Sequence, residues 1–268
     1  MPTTLIPVPR FAGFRPPTIL NAVRCAMRIP SRLLPIPLLL VIVSTARGQI
    51  GGSFEAGVAY NKLRTNIDNR PWQQYKPGNG LFVDADMQIY LWKYLFIQPG
   101  LSWAQKSYTL KQTSDSLSAL NQHNRNDYLQ GSLSLGAHYA FKIGKQPLTY
   151  QHLMNIAAWA GLYRGYWVDG HVNGGLANLL NPAAPNPQTY TYSEAYTFDN
   201  RRDNRWEWGW QAGIRIGLDA GDFCMPFLAV RIYQSLSDQQ KDYMLQQVPR
   251  YNETLTFALG FKTKIGKK

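Results

Sequence analysis

Ser132, Ser134 and His138 fall on one face of the stretch Asp127–Phe141, DYLQGSLSLGAHYAF, and are the residues best placed by type and spacing to do chemistry. A serine and a histidine converging with a carboxylate is what an acyl-transfer or lipid-hydrolysing site requires, with the imidazole taking the hydroxyl proton. The same residues arise on any polar strand face, where serine is common, and that reading is adopted. His123 and His171 read as loop residues and His152 as a turn residue; none pairs at metal-ligand spacing, and Cys224 has no cysteine companion near it. The run GHVNGG at 170–175 carries neither a Lys-Ser/Thr pair nor a following helix, so it is no phosphate loop. The chain is therefore expected to be a non-enzyme with no catalytic, metal-binding or cofactor-binding residue, and its ligand-binding residues are not legible.

The elements holding these residues are strands. In RWEWGWQAGIRIGLD, Arg205 to Asp219, Trp206, Trp208 and Trp210 share a face with Ala212, Ile214, Ile216 and Leu218, while Glu207, Gln211, Arg215 and Asp219 fill the other with glycines. Leu81, Val83, Ala85, Met87, Ile89 and Leu91 alternate with Phe82, Asp84, Asp86, Gln88 and Tyr90 in the same way. Eight such segments follow one another: 53–63, 80–92, 95–108, 127–142, 154–168, 204–219, 223–236 and 250–265. In 154–168 Trp159, Tyr163 and Trp167 oppose Ile156, Leu162 and Arg164, which leaves its faces unassigned.

Strand length and connection length point to a membrane. Segments of roughly 11 to 16 residues exceed the usual soluble strand of about 5 to 6, and at a tilt near ~40° they reach across a bilayer. Gaps after the second, fourth and sixth strands are short, whereas those at 64–79, 109–126, 169–203 and 237–249 are long and polar. Short turns in the periplasm and long loops outside are the pattern of an outer-membrane barrel. Asp84, Asp86, Lys106, Arg215 and Arg231 then point inward, and eight strands leave an interior that side chains can fill. The expected fold is all-β, an eight-stranded antiparallel transmembrane up-and-down barrel with a filled lumen.

Composition agrees. The 268 residues include 16 Tyr, 8 Trp and 22 Gly with only 16% charged residues, unlike a disordered chain. Residues 1–48 hold six arginines and no acidic residue, and Leu33 to Val43 is an apolar run too short to span a bilayer. They read as an N-terminal extension followed by a cleavable signal peptide at 27–48, with STARG before the cleavage point, leaving 49–268 as the barrel domain. Without them 22 basic residues face 16 acidic ones, so the net charge of +12 falls to +6, and a nucleic-acid partner is not expected. Cys25 leaves with the signal, so no intrachain disulfide is expected.

The aromatics read as two interfacial belts: Trp92, Tyr94, Tyr139 and Phe141 at the short-turn end, Trp103, Tyr108, Trp206, Trp208 and Tyr251 at the long-loop end. Trp72 and Tyr75 in the first loop, and Tyr190, Tyr192, Tyr196 and Phe198 in the third, are the aromatics left for a carbohydrate platform.

Four stretches carry a resemblance: FIQPGLSWAQKS (Phe96 to Ser107), DYLQGSLSLGAHYAF (Asp127 to Phe141), AGLYRGYWV (Ala160 to Val168) and VRIYQSLSD (Val230 to Asp238). In that order and spacing the chain resembles, over nearly all of 52–265, the porin-like outer-membrane β-barrel domain family common in Bacteroidetes, which includes PorT-like proteins. It departs at Gly100, where the family often has Glu, at Gly131, in the family's Pro region, and in a last strand that runs into Lys262, Lys264, Lys267 and Lys268 instead of ending on an aromatic. The resemblance implies an outer-membrane location without implying a substrate. The expected function is that of a non-enzymatic porin-like barrel whose surface loops bind a ligand or partner, the alternatives being a PorT-like accessory of protein secretion and a lipid-modifying enzyme. Its expected partners are outer-membrane lipid, the barrel-insertion machinery and an extracellular ligand or envelope protein; it is expected to act as a monomer.

Overall fold

Apolar–polar alternation with period two lets each strand offer one face to lipid and one to a lumen, and a closed ring lets every backbone group find a partner. The computed structural model describes residues 50–65, 73–114, 118–142, 153–177, 189–219, 224–241 and 249–265. The signal peptide at 27–48, Cys25, Trp72 and His152 lie outside these residues. Among them are nine strands: β1 (Ile50–Thr65), β2 (Gln73–Tyr90), β3 (Leu95–Ser114), β4 (Ser118–Lys142), β5 (Leu153–Ala177), β6 (Thr189–Ala195), β7 (Trp206–Asp219), β8 (Met225–Ser235) and β9 (Arg250–Ile265). No described helix is long and apolar enough to cross a membrane.

The sheet runs β4-β3-β2-β1-β9-β8-β7-β5, and β4 also pairs with β5, which closes eight strands into a ring. All of these pairings are antiparallel, and β1 pairs β9 without a break from Ile50↔Ile265 to Thr65↔Arg250. The ninth strand, β6, stays outside the ring and pairs only the far end of β5, from His171↔Ala195 to Ala177↔Thr189.

The molecule is inside out. Leu259 (66% exposed), Leu162 (65%) and Leu228 (60%) point outward, while Arg215 (2%), Arg231 (1%) and Glu55 (1%) are enclosed. The inward positions expected for Asp84, Asp86, Lys106, Arg215 and Arg231 are all occupied as expected. The faces of the fifth strand are now assigned: Trp159, Tyr163 and Trp167 fill the lumen, and Leu162 and Arg164 face out. Its bulky aromatics act as lumen filler, so bulk and lipid exposure part company there.

The loop expectations need correction. Residues 109–114, 118–126 and 169–177, read as loop, are strand: β3 and β4 pair to Ser114↔Ser118, and β4 and β5 to Leu120↔Leu176. His123 and His171 are therefore strand residues, and Tyr75 belongs to β2. At ~3.3 Å per residue and a ~40° tilt, the 14 residues of β7 rise roughly 35 Å, whereas the 25 of β4 or β5 rise roughly 60 Å, far beyond an apolar band of about 25 Å. The exit from the membrane is marked by a bulge: Asp127 pairs Asp169 while Tyr128 pairs Trp167, leaving Val168 as the extra residue. Arg205 secures it, its Nε donating to the Trp167 carbonyl at 3.0 Å and its Nη2 to that of Val168 at 3.4 Å.

Candidate functional site

The lumen is filled by three polar layers. In the central one β1 supplies Ser53 and Glu55, β2 Asp84 and Asp86, β7 Arg215 and β8 Arg231. Arg231 Nη2 lies 2.7 Å from Glu55 Oε1, 2.8 Å from Asp84 Oδ2 and 3.1 Å from Asp86 Oδ2. Arg215 Nη2 donates to Asp86 Oδ2 at 2.8 Å and its Nη1 to Ser53 Oγ at 3.1 Å. Aromatic faces complete the seal: Arg215 lies 3.9 Å from the Phe227 ring centroid, and Arg231 4.9 Å from that of Trp159. Trp159 in turn leaves no space opposite Gly213, where an added Cβ would approach its ring to 2.5 Å.

Toward the long-loop end, Lys106 of β3 pairs with Glu207 of β7, and Glu207 also accepts from Tyr163 at 2.7 Å and from Asn252 at 2.6 Å. Toward the other end, Lys262 bonds Gln88 and Tyr90, and the His138 ring packs edge-on to Tyr90 at 4.8 Å. These pairings have no local signature in the chain, because partners such as Lys106 and Glu207 meet across the lumen and share no sequence spacing.

The suggested serine–histidine set is not assembled. Ser134 Oγ accepts a hydrogen bond from Gln211 at 2.8 Å, and four strand residues, on the order of 13 Å, separate it from His138. His123 pairs with Thr109 at 3.2 Å and His171 with Ser193 at 3.0 Å. Among the described residues no group of three His, Cys, Asp or Glu is gathered as for a metal ion, and Cys224 is exposed and free.

Above the Lys106–Glu207 layer the lumen opens into a cavity of about 200 Å³ lined by aromatics (Tyr75, Tyr108, Trp167, Tyr196) and by amides such as Asn124 and Gln239. Tyr108, expected in the lipid belt, is here buried at the mouth instead. Its phase follows from β3 continuing upward, so counting alternate positions past Lys106 would have found it. One wall is the segment between β6 and β7, where Tyr196 stacks on Trp167 at 5.0 Å and donates to Asp203 at 2.9 Å, and Arg202 Nε donates to Asp203 at 3.1 Å. Burial, helped by the Asp203 carboxylate, pushes the Tyr196 hydroxyl up to about 12, so it remains a neutral donor. Of the platform aromatics, Tyr75 and Tyr196 thus reach one cavity, Phe198 packs on Trp167 at 4.9 Å, and Tyr192 lies on β6, outside the ring.

A closed antiparallel ring with a leucine-rich outer belt and ion pairs inside defines a membrane-spanning barrel of the outer-membrane class. Residues 44–240 match the outer membrane protein beta-barrel domain family, and the chain belongs to that family. The protein resides in the outer membrane. No curated protein matches it in sequence. Among solved structures it is similar to the outer membrane protein OprG from Pseudomonas aeruginosa, at 8% identity over 81% of this chain and 96% of that one, with a TM-score of 0.45. It is also similar to AlkL, at 14% identity over 82% and 92% of the two chains (TM-score 0.35). A third likeness is to the outer membrane protease OmpT from Escherichia coli, at 8% over 82% and 98% (TM-score 0.34).

Proposed function

We propose that this protein is a non-enzymatic, porin-like barrel that passes no solute and works through the part it raises above the membrane, where a ligand or partner binds. The observation that carries this reading is the continuation of β3, β4 and β5 far past the apolar band, so that they wall an aromatic and amide-lined cavity above a lumen closed by ion pairs. Strand built outside the membrane contributes nothing to spanning it, and ordered surface structure around a concave polar and aromatic site is a binding device. In this reading the chain is exported by a cleavable signal peptide, seated by the barrel-insertion machinery, and acts as a monomer with outer-membrane lipid as its solvent.

Conductance of the purified protein in planar bilayers tests it. The expected record is a flat baseline at moderate voltage; a steady open level would overturn the sealed barrel. Envelope lipids unchanged by His138→Ala are expected of a non-enzyme, and an altered lipid profile would overturn that part. A second reading, an accessory of protein secretion, rests on the resemblance of FIQPGLSWAQKS and VRIYQSLSD to PorT-like proteins. Deletion of the gene separates the two, since only the accessory role predicts loss of secreted cargo.

A further inference from the structure

Arg164 turns its charge away from the lumen. It lies on the outer face of β5, is exposed, and pairs in register with Gly131 on one side and Trp208 on the other. Eleven residues separate it from the start of β5 at Leu153, a rise of roughly 28 Å, which places it at the outer edge of an apolar band of about 25 Å. No described carboxylate forms an ion pair with it.

The guanidinium is held in place. It lies 4.2 Å from the Trp206 ring centroid, Tyr166 packs against the same indole at 4.8 Å, and Arg205 covers Tyr166 at 4.5 Å. Two cations thus bracket one aromatic pair at the level where the outer-leaflet headgroups begin. Beside Arg164 the register neighbour Gly131 leaves a gap: a Cβ built there meets nothing within 4 Å. An arginine facing lipid requires an anion, and its planar fork matches the oxygens of a phosphate better than any other group at that depth.

We propose that Arg164, with the space over Gly131 and the Tyr166–Trp206 pair, is a binding site for the phosphate of an outer-leaflet lipid headgroup. The acyl chains then run down the outward leucines Leu162 and Leu133, and the ring of Trp206 keeps the guanidinium from folding back onto the protein. The site lies outside the barrel wall and is independent of the cavity at its mouth.

Native mass spectrometry tests it, on protein reconstituted into vesicles of phosphatidylcholine alone, with added phosphatidylglycerol, or with added diphosphoryl lipid A, and then released into detergent. The wild type is expected to retain one phosphate-bearing anionic lipid at least tenfold in preference to phosphatidylcholine, and inorganic phosphate at millimolar concentration should not displace it. Arg164→Gln removes the charge from a lipid-facing position and should fold normally while losing that preference about tenfold. Gly131→Leu fills the gap, keeps the arginine, and should lose it as well. Arg250→Gln, in the lining of the mouth cavity and away from the outer wall, should leave the lipid preference unchanged. Equal retention of all lipids by the wild type, undiminished preference in Arg164→Gln, or displacement by free phosphate would each overturn the proposal.

Discussion

The central lumen layer and the mouth above it are built from the same kinds of residue, yet they solve opposite problems. At the centre three carboxylates and two guanidiniums are enclosed, and the arginine heads are shared among Glu55, Asp84, Asp86 and Ser53. At the mouth the carboxylate of Asp203 is committed to Tyr196 and Arg202, while the neighbouring aromatics and amides surround open space. The first arrangement has its partners built in and resists change. The second keeps its wall ordered and leaves its interior available, which is how a stable scaffold carries an adaptable surface.

The contrast can be broken most severely at the centre. Arg231→Met leaves three buried carboxylates with Arg215 alone, and removal of one member of a buried ionic group costs about 3–5 kcal/mol. Denaturant unfolding in detergent micelles should show that loss, and a wild-type midpoint would mean the layer is decoration. A charge on the opposite face of the same wall comes next: Ile214→Lys places an ammonium in lipid and should cost about 2–4 kcal/mol, seen as reduced yield of the heat-modifiable form. Gly213 is no harmless control for it, although alternation puts that residue on the lumen face, because Trp159 occupies the space a side chain would need. The smallest effect belongs to the rim. Arg202→Gln removes a partly exposed ion pair and should shift stability by at most about 1 kcal/mol, and a loss as large as that of Arg231→Met would erase the distinction between the two regions.

How much of this was legible follows the same division. Where one face meets lipid, the period of two is stark, and the eight ring strands and the inward charges could be read directly. In β4 above the membrane neither face meets lipid, so Asn121, Gln122, His123 and Asn124 are all polar, carry no alternation and look like loop. In β5 the lumen takes tryptophans and the lipid face takes Arg164, so hydrophobicity alone reports the wrong side. The ion pairs were hidden for a third reason. Residues such as Arg215 and Glu55 are 160 positions apart and come together only when the ring exists.

That ring is completed by β1 against β9, the first described strand against the last. Every amide on β1's far edge, from Ile50 to Thr65, therefore waits for a segment some two hundred residues downstream, and within lipid none of those amides has an alternative partner. Such long-range pairing is slow to find. Closing the wall and entering the bilayer must consequently be one event, and the arginines of the lumen are sheltered from lipid only once the final strand has been zipped to the opening one.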